Sequence, residues 1–503
     1  MVFSLDLGLR TSALTFDSLY LDEAYQSMYE STGQGLAKLG VLDGKAILFR
    51  FDEPHSIGDV LKHFREVDPL CPPLYGILLN RWRLVFGSSD FALRSFSLVC
   101  SALANAALMA ITFALFGPET ALFAGLLQAL SPFDRTYGQE VRMYSLELLL
   151  SLASTTALLW LLRAKETWKR ATASALYAVS ACGLINTHYV AIFTVAAQAL
   201  YGLVLCIKRK DWHLLGWLCL SGVLTLVLWL PCFELFRKAA GARNEGFYVQ
   251  NTAPVISRVI NLWRMAFNWV SFLTGTRIPA YFATIFGAAG IMVALGVKQL
   301  VAGLRERNQP PERSMLNWYL VSWLVVPPVL IWILDIVECR QVLNVSRYLI
   351  ATAPAVYIVC ALGLKSLVRN RKVCSALLLV YAASCLAVDV HHQLVPQRRP
   401  WKLVAQKLEE MLHANELVVV SEWYEIASLD RYLQHPLRQI GLSAEMGKTY
   451  IQSQIEQHAN AQSFVLVSAG EGHAIKTMLP PEYKQGAQIR LSHDVIVTEY
   501  KHR

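Results

Sequence analysis

Apolar residues in this chain fall in long, nearly unbroken runs. They do not follow the every-other or every-third-or-fourth spacing of elements half-buried in water. A helix needs about 20 mostly apolar residues to cross a bilayer. Runs of that order occupy 91–116, 119–134, 141–163, 171–186, 188–207, 213–236, 280–298, 316–334, 348–364 and 373–390, which predicts ten spans. The polar interruptions orient them. Segments 163–170 (RAKETWKR) and 208–211 (KRKD) are basic, as are 298–313 with Lys298, Arg305, Arg307 and Arg313, and 365–372 with Lys365, Arg369, Arg371 and Lys372. These four alternate with the remaining loops, so the positive-inside rule makes them cytoplasmic. The other face then carries 1–90, 134–141, the turn at 186–188, loop 237–279, loop 335–347 and everything after 390.

The pattern changes after that point. Segment 400–414 has helical apolar spacing, while ELVVVSE, SFVLVSA and DVIVTEY read as strands. They predict a small external α/β domain. Segment 73–86 is apolar but holds Arg81 and Arg83, so it reads as an interfacial helix. Residues 1–16 include Asp6 and Arg10 and are short for a span, which leaves an interfacial segment or a first span lost upstream. They lack the basic start and small-residue cleavage site of a signal peptide. The expected organisation is an N-terminal segment and large first external loop (1–90), a transmembrane bundle (91–390) and an external domain (391–503). The fold class is therefore mainly α, a polytopic membrane helix bundle with an α/β appendage.

Composition agrees. The 503 residues are 54% hydrophobic and only 17% charged, which excludes disorder and a coiled coil. The formal charge of +9 fits cytoplasmic anchoring and gives no reason to expect nucleic-acid binding. Of ten cysteines, only Cys71 and Cys339 fall in loops, and no CxxC occurs, so no zinc site or disulfide framework is indicated.

Candidate chemistry gathers on the external face. Asp22-Glu23 in LYLDEAYQS pairs two carboxylates that point different ways on a helix, so one can act as base while the other orients substrate or, with it, holds a divalent cation. The bland alternative is that Asp22 caps a helix starting at Glu23. Tyr75 in PPLYG and Arg94 in DFALR read as interface anchors or site residues. Glu140, Arg142 and Tyr144 stand at the mouth of a span, where boundary charges suggest function. His188 sits in a tight turn, and Arg347-Tyr348 opens a late span, where a guanidinium can grip phosphate bidentately. Loop 237–279 carries Arg237, Lys238, Arg243, Arg258, Arg264 and Arg277 against Glu245, a cationic wall suited to an anion. Asn344-Val345-Ser346 is a formal glycosylation sequon.

Taken in order, LDEAY, PPLY, FG-x-x-D-FALR, SPF…YGQEVRMYS, THY and SRYL resemble the bacterial relatives of protein O-mannosyltransferases and of the lipid A aminoarabinose transferase. These are GT-C-type membrane glycosyltransferases, similar to glycosyltransferase family 39. The resemblance covers about 20–365 and implies a GT-C fold that uses a polyprenyl-phosphate-linked sugar, with a lipid, polysaccharide or protein acceptor. It implies Asp22 as catalytic base with Glu23 beside it, and Glu140, Arg142, Tyr144, Arg347 and Tyr348 near the donor, with Arg264 as a further cation. Two departures stand out. Many relatives have His before Pro-Pro, where this chain has Cys71, and relatives carry a span ahead of the Asp-Glu pair. The expected activity is inverting transfer at the external face of a bacterial-type inner membrane. The alternatives are a lipid or sugar transporter, which would show repeats with interrupted helices, and an inactive scaffold. No resident cofactor beyond a divalent cation at Asp22 and Glu23 is suggested.

Overall fold

The computed structural model describes residues 2–12, 14–31, 46–47, 56–66, 68–241, 254–275, 283–306, 308, 310–395, 398–412, 416–459, 462–492 and 494–502. In chain order it begins with α1 (Val2–Thr11), α2 (Leu21–Ser31), β1 (Ala46–Ile47), α3 (Ile57–Glu66), α4 (Leu74–Phe86), α5 (Asp90–Phe116), α6 (Pro118–Leu130) and α7 (Pro132–Gln139). Next come α8 (Tyr144–Arg163), α9 (Thr167–Ile185), α10 (Ile192–Arg209), α11 (Trp212–Trp229), α12 (Phe233–Gly241), α13 (Val255–Ile260) and α14 (Arg264–Thr274). Then follow α15 (Ala283–Arg305), α16 (Pro311–Val337), α17 (Ala353–Ser366), α18 (Arg371–Leu394) and α19 (Trp401–Met411). The chain closes with β2 (Leu417–Val420), α20 (Ile426–Asp430), β3 (Leu437–Gly441), α21 (Lys448–His458), β4 (Ser463–Ala469), β5 (Tyr483–Arg490) and β6 (Val495–His502). Contacts divide it into two units, one of 1–12, 69–75 and 94–391, the other of 13–68, 76–93 and 392–503.

The first unit is a polytopic membrane helix bundle. Among the described residues, eight stretches are long and apolar enough to cross a membrane: 90–116, 144–163, 189–209, 212–241, 283–305, 311–337, 346–366 and 371–394. Two of the ten expected spans differ. Run 119–134 breaks into α6 and α7 at Ser131, which takes extended geometry ahead of Pro132. The thirteen residues of α6 rise about 20 Å, short of a hydrocarbon core of about 30 Å. The α9 run is nineteen residues long but opens on Thr-Trp-Lys-Arg. It packs antiparallel on α8, and its far end is fixed where the Leu74 amide donates to the Asn186 carbonyl.

All four basic loops collect at one end of this bundle. Arg170 bonds His213, Arg209 reaches the Met315 sulfur, Arg313 stacks 4.6 Å over Phe116, and Lys365 donates to the Phe116 carbonyl. Arg243, Glu245, Arg277 and Arg307 lie outside the described residues. The short helix α1 packs on α6 and α7 with its charged pair inward. Arg10 donates to Asp6 at 2.7 Å and to the Asp134 carbonyl at 2.9 Å, and both α1 side chains are fully buried. Burial of one charge alone is prohibitive, so the α1 pair is self-neutralising.

The second unit is built on a six-stranded sheet in the order β1-β3-β2-β4-β6-β5. The strands β2–β3 and β2–β4 pair in parallel; the other pairings are antiparallel. Side chains alternate across each strand. Val418, Val420, Val465 and Val467 thus face Trp401, Val404 and Ala24 on one side. Leu417, Val419, Phe464 and Leu466 face Ile451 and Ile455 on the other.

Candidate functional site

Opposite the basic end, a group of polar and aromatic side chains gathers within the helical unit. Helix α7 ends at Glu140, whose extended backbone (φ −85°, ψ 142°) breaks the helix. The Arg142 amide turns back to the Glu140 carbonyl at 2.8 Å, and α8 starts at Tyr144. Ser97 steadies this turn by donating to the Arg142 carbonyl at 3.3 Å, and it is itself bonded to the Tyr75 hydroxyl at 2.8 Å. Tyr75 therefore acts as a brace for the turn. Glu140 and Arg94 are buried in the same unit.

Tyr144 is the hub. Its buried ring meets His188 edge-on at 6.0 Å and Tyr137 at 4.9 Å. Arg347 lies over it at 5.9 Å and over Tyr348 at 5.7 Å. His188 approaches the Tyr348 ring at 5.3 Å. The Tyr144 hydroxyl lies in the fields of both Arg347 and Arg142. Four of the residues singled out from sequence therefore form one cluster, with Arg142 at its border. Behind it stands Glu147, one helical turn after Tyr144 and fully buried, 2.9 Å from His188 Nδ1. Glu147 is not among the residues singled out from sequence, although a lone acid in YSLELLL is the kind of intramembrane charge that points to function.

Arg347 is presented by a braced loop. The carboxylate of Asp335, near the end of α16, accepts the Val342 and Leu343 amides at 2.8 and 2.9 Å. Asn268 of α14 donates to the Leu343 carbonyl at 3.0 Å and accepts the Ser346 hydroxyl at 2.7 Å. The sequon serine is thereby buried and engaged, and Asn344 accepts a bond from Asn261. One turn before Asn268, Arg264 stacks on Trp263 at 4.4 Å and Phe267 at 5.4 Å, its Nε buried without a hydrogen-bond partner. Of the cationic loop, Arg237 pairs with Glu234, and Arg258 Nη1 donates to the Ile336 carbonyl and the Cys339 sulfur.

Asp22 and Glu23 belong to the second unit. Helix α2 starts at Leu21, two residues before the expected start, so Asp22 lies in its first turn and is not its cap. The cap interaction comes from Glu23, which is fully buried and accepts the Tyr20 amide at 3.2 Å, half of a capping box. Ala24 enters the core beside Trp401, and the Tyr25 hydroxyl donates to the Tyr424 carbonyl. Burial and the nearby Glu425 and Asp22 carboxylates push the Tyr25 hydroxyl well above its ordinary range. Asp22 alone of the pair is partly exposed. Among the described residues no three His, Cys, Asp or Glu side chains converge as metal ligands.

Comparison with known proteins agrees with this architecture. Residues 71–232 match the family model described as dolichyl-phosphate-mannose-protein mannosyltransferase. No curated protein matches the sequence. ArnT from Cupriavidus metallidurans bound to undecaprenyl phosphate superposes with a TM-score of 0.59 at 14% identity, over 99% of this chain and 97% of that one. Its apo form gives 0.58 at 15% over the same shares. The Archaeoglobus fulgidus oligosaccharyltransferase tethered with an acceptor peptide gives 0.54 at 12% identity, over 98% of this chain and 72% of that one. The chain has the GT-C-type membrane glycosyltransferase fold.

Proposed function

We propose that this protein transfers a sugar from a polyprenyl-phosphate donor to an acceptor hydroxyl at the external face of a bacterial inner membrane. One observation carries the reading: Arg347 and His188 share the Tyr144–Tyr348 pair, in reach of Arg142, at the bundle end opposite the four basic loops 163–170, 208–211, 298–313 and 365–372. By the positive-inside rule that end is external. Cationic and aromatic groups at a membrane boundary suit a lipid phosphate, and the similarity to an ArnT that binds undecaprenyl phosphate supports the same lipid class here.

The chemistry is a single displacement. The acceptor oxygen bonds to the anomeric carbon while the bond from that carbon to the phosphate oxygen breaks, so the configuration inverts. Asp22 takes the hydroxyl proton, and the electron pair of the broken bond leaves with the polyprenyl phosphate. Arg142 and Arg347, with Arg264 nearby on α14, stabilise the charge growing on that phosphate. A well-placed donor of this kind contributes roughly 3 kcal/mol to the transition state. Glu23 holds the helix that carries Asp22. Were a divalent cation bound beside Asp22, it would add Lewis-acid support; Glu23, committed to the Tyr20 amide, is a poor second ligand.

The test uses membranes containing the full chain and radiolabelled polyprenyl-phosphate sugars. Wild type should transfer label, and Asp22→Asn should lower kcat by a hundredfold or more, about 2.7 kcal/mol. Equal transfer by both would remove Asp22 as base, and no transfer by wild type from any such donor would remove the reading.

A further inference from the structure

The buried acid–imidazole pair behind the cluster has no part in the reaction as written. Glu147 is fully buried within an apolar helix, and its described partner is His188. A carboxylate at such depth is costly and calls for a compensating role. His188 is itself more than nine-tenths buried. Its Nδ1 faces Glu147, and that is its one side-chain hydrogen bond among the described residues, which leaves Nε2 uncommitted. That ring lies against Tyr144 and Tyr348, the two rings Arg347 covers.

We propose that His188 is a phosphate-binding residue of the donor site and that Glu147 is its positioning residue; this rests on the reading above. The argument is one of proton counting. The pair is assigned one proton beyond neutral imidazole and carboxylate, because that state alone leaves no net charge buried in the apolar bundle. Either the imidazole is cationic beside a carboxylate, or a carboxylic acid donates to Nδ1 of a neutral ring. In both arrangements Nε2 carries a hydrogen. The dyad thus offers a fixed N–H donor with no net charge, aimed to the side of the ring away from Glu147. The other ionisable and charged groups facing the imidazole are Tyr144, Tyr348 and Arg347, with Arg142 beyond Tyr144. Arg347 supplies charge to the phosphate and His188 supplies a directed hydrogen bond to one of its oxygens.

The experiment is direct binding of undecaprenyl phosphate to the purified full-length protein, followed by donor kinetics. His188→Asn keeps an amide at the Nδ1 position, where it bonds Glu147, and removes the Nε2 donor. His188→Gln places its amide near the Nε2 position. The expected result is about a tenfold loss of lipid affinity and a matching rise in donor KM for His188→Asn, at little change in kcat. His188→Gln should recover most of it. A merely structural histidine predicts the reverse order, because Asn preserves the Glu147 bond; that order, or equal affinities in all three proteins, overturns the proposal. Nitrogen-15 spectra of histidine-labelled wild type need no stable variant. The His188 Nε2 resonance, assigned by its loss in His188→Gln or by elimination, should move on adding the lipid, and a stationary signal with lipid bound overturns the assignment. If wild type binds no undecaprenyl phosphate at all, the functional reading falls too. If it binds and the variants behave like wild type, only the dyad falls.

Discussion

Replacing Asp335 by Asn tests whether the Arg347 loop is preorganised by a single buried carboxylate. In the native protein two carboxylate oxygens receive two consecutive backbone amides, at 2.8 and 2.9 Å, in a side chain 4% exposed. The amide of Asn keeps one acceptor and turns a donor toward the second N–H. One charge-assisted hydrogen bond, about 1.5–3 kcal/mol, is lost, and one buried amide is left without a partner at a cost of about 1–3 kcal/mol. Asn268 still holds the Leu343 carbonyl and Ser346, so part of the loss is absorbed by a loop that loosens without detaching. Taking about half of the combined cost as the price of restoring the Arg347 geometry gives roughly 2 kcal/mol, or about a thirtyfold weaker hold on a phosphate lipid. Isothermal titration or native mass spectrometry with undecaprenyl phosphate reads this directly. Thermal unfolding in the same detergent separates it from global collapse. Unchanged lipid affinity in a folded Asp335→Asn protein would refute the argument, because it would mean that the braced loop does not position the phosphate contact.

Two further outcomes follow from packing and titration. Gly296 and Gly363 let α15 and α17 touch backbone to backbone; a Cβ on Gly363 would lie 2.6 Å from the Gly296 nitrogen, and one on Gly296 would overlap the Val359 carbonyl. Gly296→Ala should therefore destabilise the bundle by about 1–3 kcal/mol, while Gly290→Ala, with open space around it, should be neutral or stabilising by up to about 1 kcal/mol. Equal melting temperatures in detergent would sink the close-contact account. In the second unit, burial and then Lys476 hold His473 below its ordinary value of 6.5, despite the Ser468 hydroxyl at Nδ1. The folded state favours neutral imidazole, so stability is level above about pH 6.5 and falls as the pH drops from there toward the folded value; His473→Gln should flatten that slope in hydrogen exchange of β4 between pH 7.5 and 5.5.

The helix runs, the basic loops and the strands rich in Val were legible because each is a local signal. Polar β3 and β5 escaped notice, since LRQIG and YKQGAQIR carry no apolar alternation; β5 is a largely exposed edge strand. The break in run 119–134 was in view, for Ser-Pro-Phe-Asp is a capping serine followed by a proline at the first helical position. Apolar residues continue on both sides of Ser131-Pro132, so hydropathy alone reads one run there. The capping contact falls to Glu23 and not to Asp22 because α2 begins two residues before the start that the bland alternative required, which is enough to move a cap from one carboxylate to the other. The bracing of Arg347 was not legible. Asn268 and Ser346 are 78 positions apart, and nothing in either neighbourhood names the other.

The low identity to the matching structures sharpens what the buried polar groups mean. At 14% identity most side chains differ while the fold persists, as apolar cores allow when volume and pattern are kept. A charged group inside such a bundle is not an interchangeable filler, because each one carries a desolvation cost that apolar substitution would remove. Several of these groups have an evident structural return. The ion pair of Arg135 and Asp389 ties α7 to α18, the Asp6–Arg10 pair seats α1, and the Tyr357 hydroxyl joins Asp134 to the Phe272 carbonyl. Arg135–Asp389, the bond from Arg10 to the Asp134 carbonyl and the Tyr357 bonds link segments far apart in sequence. Glu147 differs. It joins α8 to a turn that α9 and the 3-10 helix Tyr189–Ala191 already hold, so its bond to His188 adds little to the fold. What it does fix is the direction of one imidazole edge beside Arg347. The Glu147–His188 pair therefore stands apart from the three structural ties just named, and orientation of that imidazole is the return its burial offers.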